Sequence, residues 1–148
     1  MKISLADLTY TQQSIASDVV PAGIGMIAEY VEKKLPDINK IKLYKFPEDL
    51  SGQFKTNKPN LIGFSNYIWN SSLTDTYLKR IKEVFPDIIT VAGGPNFPTN
   101  EMEQKKYLST RPWIDFYIVK EGEHAFYSLI NYLIENKIKE ITQITNSQ

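Results

Sequence analysis

Two short stretches carry the residues best suited to chemistry. Glu121-Gly122-Glu123-His124 places two carboxylates beside the chain's one histidine, close enough together for general acid–base work. The alternative is that the acids favour the positive N-terminal end of a following helix, with the histidine solvated or capping it. That second reading is preferred for Glu123 and His124, and Glu121 stays open. The other stretch, "TVAGGPNFPTN" at 90–100, ends an apolar run in Gly93 and Gly94 and follows them at once with Pro95. Paired glycines there either turn the backbone or let it approach a ligand with no side chain between.

Several chemistries are excluded. The chain has no cysteine, so disulfides, thiolate nucleophiles and Cys-ligated zinc or iron–sulfur centres are absent from these residues. Seventeen basic residues balance seventeen acidic ones, and no basic cluster suits nucleic acid or an anionic membrane. No phosphate loop of the G-x-x-x-x-G-K-[ST] type occurs. The nearest approach to G-x-G-x-x-G is "GIG" at 23–25, followed by Glu29 and Tyr30 with no third glycine. Asp7 stands alone where a receiver domain would need paired acids. No catalytic residue and no metal ligand set is assigned. "MKISLADLTY" lacks the apolar segment of a signal peptide and no run reaches membrane-spanning length, so a cytoplasmic location is expected.

The elements that must position these residues show in the hydrophobic pattern. Apolar runs at 2–8, 41–46, 61–65, 88–92 and 114–119 read as strands, the last three nearly continuous, as in a parallel sheet buried on both faces. Between them lie amphipathic stretches. Ile24, Ile27, Ala28, Val31 and Leu35 form one helical stripe, closed by Pro36. Leu73, Tyr77, Leu78, Ile81, Val84 and Phe85 form a second, with Ser72 and Asp75 spaced as an opening cap. Phe126, Leu129, Ile130, Leu133 and Ile134 form a third. "EDLSGQFKTN" and "NEMEQKKYLST" are more polar helical candidates, the latter opened by Asn100 and Glu103. Ile141 and Ile144 alternate with polar residues in a tail that reads as an edge strand or a linker. Strands alternating with helices predict one α/β domain, a Rossmann-like, flavodoxin-like three-layer sandwich with a mainly parallel five-stranded sheet.

In such sheets ligands bind outside the carboxyl ends of the strands, where strand order reverses. Four loops lie there: 7–23, long for such a connection, and 65–72, 93–100 and 120–124. Gly23, Gly93, Gly94 and Gly122 fall in them. Tyr67, Trp69 and Phe97 add aromatic surface, suited either to a large planar ligand or to packing under the loops.

Taken in order, "VPAGIGMIAEYVEK", "IGFSNYIWN", "VAGGPNFP" and "IDFYIVKEGEHAFYSLI" resemble the N-terminal cobalamin-binding domain of class B radical S-adenosylmethionine enzymes, over about residues 3–135. Pro21 and Gly23 match that family's opening to its first helix, and Ser65 matches the serine closing its third strand. Gly93, Gly94 and Pro95 match its Gly-Gly-Pro, and Glu121, Gly122 and Glu123 its glutamate–glycine–glutamate corner. The resemblance implies that the sheet edge faces a corrin ring, with Ser65, Asn66, Tyr67, Gly93, Gly94, Pro95, Glu121 and Gly122 as cofactor-binding residues. The nucleotide tail would run past Ser65 and the Gly93–Gly94 turn.

Two departures stand out. Methyl-transferring domains of the methionine-synthase type carry Asp-x-His-x-x-Gly after the first strand, whereas here Thr9 and Gln12 occupy the His and Gly positions. The corner usually reads Gly-Glu-Gly-Glu, and Lys120 replaces its first glycine. The resemblance implies cobalamin as cofactor and a following radical S-adenosylmethionine domain as partner. S-adenosylmethionine and a 4Fe-4S cluster would belong to that domain, where methyl transfer or related radical chemistry would occur. Residues 1–136 are expected to form the cobalamin domain and 137–148 a tail or linker. The alternatives are a degenerate scaffold or substrate-recognition domain that binds no cofactor, and a flavin- or nucleotide-binding domain.

Overall fold

The computed structural model describes residues 1–11 and 20–139. Among them five strands alternate with five helices: β1 (Ile3–Ala6), α1 (Ala22–Lys34), β2 (Lys42–Tyr44), α2 (Pro47–Thr56), β3 (Leu61–Ser65), α3 (Ser71–Val84), β4 (Ile89–Gly93), α4 (Glu101–Ser109), β5 (Phe116–Ile118) and α5 (Gly122–Glu135). All neighbouring strands are parallel, in the order β2-β1-β3-β4-β5. The α/β sandwich expected from the sequence is therefore the fold observed. The order reverses between β1 and β3, which opens the crevice expected at such a switch point.

Strand pleating divides the core in two. Ile3, Leu5, Leu61, Ile89 and Val91 face Ile24, Ala28 and Val31 of α1 and Phe126, Ile130 and Leu133 of α5. Ala6, Ile62, Phe64 and Ala92 face Leu50 of α2 and Leu78 and Ile81 of α3. Burial on both faces explains why the central strands read as unbroken apolar runs. Two stripe residues leave the core: Val84 is 48% exposed and Ile134 38% exposed. Each sits in the last turn of its helix.

Helix ends decide several boundaries. Asn100 opens α4 as expected, its side chain accepting a 2.9 Å hydrogen bond from the Glu103 amide. Ser72 and Asp75 do not cap α3, which begins at Ser71, two residues earlier than that cap implies, with Asn70 at its N-cap. Asp75 instead accepts hydrogen bonds from Arg111 Nε at 3.0 Å and Trp113 Nε1 at 2.9 Å. After α5, Lys137 N donates to Ile134 O and Ile138 N to Leu133 O, a Schellman closure with Lys137 at φ 56. Ile138 is buried in the α1/α5 core, so the packed body runs two residues past Asn136. Ile141 and Ile144 lie outside the described residues.

The outermost strands, β2 and β5, have three residues each. β5 is pinned from below: the Asp115 carboxylate accepts from Thr90 N at 2.7 Å and Thr90 Oγ1 at 2.8 Å, and pairs with Lys82 Nζ at 2.7 Å.

Candidate functional site

A cavity of about 360 Å³ opens at the carboxyl edge on the α1/α5 side of the sheet. Its size is that of a small-molecule site. The sheet supplies its base: Leu5, Gly63, Ser65, Val91, Gly93 and Ile118 alternate onto that face. Gly23, Ile24 and Ile27 of α1 and Gly122, Glu123 and Phe126 of α5 form the walls. β-Strand register brings the parts level, since Ser65 pairs with Gly93 and Gly93 with Ile118.

Glycine shapes this space in three places. A Cβ at Gly63 would lie 2.7 Å from Leu5 Cδ2, so the middle of β3 has no room for a side chain. A Cβ at Gly122 would lie 2.7 Å from Ile27 Cδ1, which is how closely α5 starts against α1. At Gly93 it would meet Ile118 Cβ at 3.3 Å, tight but on the cavity side. Gly94 differs. Its φ is 126, and a Cβ there would lie 2.7 Å from Asn66 O and 3.1 Å from Asn66 N. Glycine at 94 thus serves the crossing of two loops, and glycine at 93 serves the cavity.

Polar groups meet at the switch point. Ser65 Oγ donates to Asp7 Oδ1, and Asn70 Nδ2 donates to the same oxygen at 3.1 Å and to Leu8 O at 3.3 Å. Asp7, passed over in the sequence as a lone acid, lines the cavity beside Ser65. Thr74 Oγ1 donates to Ser65 O at 2.9 Å and holds the end of β3.

The other expected site residues divide. Tyr67, Gly94 and Pro95 join Ser65, Gly93 and Gly122 in the lining, while Asn66 and Glu121 are not part of it. Asn66 is buried and faces the other way. Its Nδ2 donates to Tyr107 Oη and Tyr117 Oη, both at 3.0 Å, and to Asn96 O at 3.1 Å. Tyr117 Oη donates in turn to Gly94 O at 3.2 Å, and its ring stacks on Phe97 at 3.8 Å. Burial pushes the Tyr117 phenol up to about 12; Asn66 pulls against this and Tyr107 adds to it. Phe97 therefore packs beneath a loop.

Glu121 is the N-cap of α5 and makes no side-chain cap. His124 is exposed, 5.6 Å from the Tyr30 ring, and outside the lining. Trp69, 65% exposed, stacks on Tyr67 at 4.3 Å with the planes 9° apart, beside the cavity. Residues 12–19 of the long first loop lie outside the described residues. Among the described helices, none is long and apolar enough to cross a membrane.

Comparison with known proteins gives this geometry a context. A family model for the B12 binding domain matches residues 11–130. The cobalamin-dependent radical SAM methyltransferase TokK of Streptomyces tokunonensis is 32% identical over 73 residues, 49% of this chain and 10% of the relative. The 2-(S-pantetheinyl)-carbapenam-3-carboxylate methyltransferase of Streptantibioticus cattleyicolor is 31% identical over 72 residues, again 49% of this chain and 10% of the relative. The matched segment thus spans about a tenth of each of these relatives.

Proposed function

This chain belongs to the B12 binding domain family, and from that membership we propose that it holds cobalamin at the carboxyl edge of its sheet and presents it to a radical S-adenosylmethionine domain. The observation that carries the reading is the cavity at the β1/β3 switch point, based on strand residues that include Gly63 and Gly93. Its residues fit a nucleotide tail: apolar walls, glycine where a flat group must lie against backbone, and the Ser65–Asp7 pair as polar contact. Cobalamin would supply a cobalt centre able to carry a methyl group or an electron.

The chain's own part is binding and orientation. Ser65, Tyr67, Gly93, Gly94, Pro95 and Gly122 would contact the tail, and Leu5, Ile24, Val91 and Phe126 would keep water from it. Asn66 acts one step back, fixing the loop that carries Gly94. Asn66 N donates to Gly93 O at 2.6 Å, and Asn96 N donates to Asn66 O at 3.2 Å. The one histidine lies on exposed α5 surface, so the cavity receives no imidazole from the described residues. Cluster ligands would come from the partner domain, since this chain has no cysteine. The names of the relatives support methyl transfer as the partner's reaction.

The test mixes the purified chain with hydroxocobalamin, removes free corrinoid by desalting and records the visible spectrum. Near-stoichiometric retention is the expected result. Gly93→Val, which puts two methyl groups into the cavity base, should lose retention with an unchanged far-ultraviolet circular dichroism spectrum. A colourless wild-type protein would sink the reading in favour of a scaffold that binds no cofactor.

A further inference from the structure

Lys120 and Lys137 are the residues other than glycine with positive φ among the described residues. Lys137 is explained by the helix closure after α5. Lys120, at φ 67 between β5 and α5, closes no helix. A side chain in this conformation crowds the backbone, and glycine would take the turn freely. Lys120 is exposed and makes no hydrogen bond or ion pair among the described residues. Nothing local repays the strained backbone.

What distinguishes Lys120 is its position. It lines the cavity and, among the described residues, is the only basic one to do so. Two acids share the lining, Asp7 and Glu123. Asp7 is engaged by Ser65 and Asn70, and Glu123 sits in the first turn of α5, where a helix favours a carboxylate. The ammonium of Lys120 is left for a group that enters from outside.

On the footing that the cavity takes a corrinoid's nucleotide tail, we propose that Lys120 determines specificity for the phosphodiester of that tail. The tail's phosphodiester carries one negative charge at neutral pH, whereas the amide side chains around the corrin ring are neutral. A lysine is a point-charge phosphate partner that tolerates a range of approach angles. Its placement at the cavity discriminates complete corrinoids from those that end before the phosphate.

The experiment titrates cobalamin and cobinamide, which keeps the corrin ring but lacks the phosphodiester, into the 148-residue chain and into Lys120→Ala, Lys120→Gly and Lys120→Arg. The wild type should prefer cobalamin. The Ala and Gly variants should lose about fivefold in cobalamin affinity, the effect of one partly exposed ion pair, with cobinamide affinity unchanged. The Arg variant should stay within about twofold for cobalamin because it keeps the charge. The loss should shrink as salt is raised. Without ligand, Lys120→Gly should melt about 2–4 °C higher, as relief of backbone strain requires. Equal cobalamin affinity in wild type and Lys120→Ala would overturn the assignment and leave corrinoid binding standing. Failure of the wild type to bind either corrinoid would remove the reading it rests on, and the assignment with it.

Discussion

An added methyl group at Gly94 would meet Asn66 backbone atoms at 2.7 and 3.1 Å, on a backbone already at φ 126. Neither strain can relax cheaply, because the obstacle is main chain. Gly94→Ala should therefore destabilise the domain by about 3 kcal/mol, seen as a lower urea midpoint with an unchanged slope. At Gly93 the neighbouring atom belongs to the Ile118 side chain, so substitution there acts on the cavity. The pair looked alike in the sequence; what separates them is Asn66, whose backbone an added Cβ would strike at Gly94 and not at Gly93. Tyr117 gives a second test at this scale. Its phenol is raised to about 12 by burial, against about 10 in the unfolded chain. Between those values the native state keeps a proton that the unfolded state has lost, so stability falls as pH rises from about 10 to about 12. Tyr117→Phe should cost about 1 kcal/mol at neutral pH by losing the bonds to Gly94 O and Asn66 Nδ2. Its deficit relative to wild type should narrow across that window in chemical denaturation at stepped pH.

Among the elements, α5 ends in a Schellman closure with lysine where glycine is usual. Lys137→Gly should stabilise the domain by about 1 kcal/mol, read as a higher melting temperature. The buried Ile138 that follows makes the closure part of the core. This was hidden in the sequence, because a lone isoleucine between lysines carries no period. The central elements were legible for the opposite reason: β3 and β4 are buried on both faces and show as continuous apolar runs. Stripe positions failed only at the last turns of α3 and α5, where Val84 and Ile134 still fit the helical period but are exposed. Ser72 and Asp75 had capping spacing, yet Asp75 is drawn to Arg111 and Trp113, more than 35 residues on.

Across the whole molecule, the alternation of strands and helices made the sandwich legible and put the candidate site at the carboxyl edge. The strand order, and with it the switch point between β1 and β3, depends on pairings between distant segments that local pattern does not encode. The cavity's depth was hidden for the same reason. Gly63 sits inside an apolar run, and its proximity to Leu5 appears only once β1 lies beside β3. Asn66 reads as a loop residue until Tyr107 and Tyr117, 41 and 51 residues away, arrive around it. The two short outer strands bear on behaviour in concentrated solution. An exposed sheet edge is a template on which another chain can add a strand, and the length of the edge sets how firmly it holds. β2 and β5 each offer three residues, and Lys42 is exposed in β2. Edge-to-edge polymerisation through the described strands is therefore disfavoured.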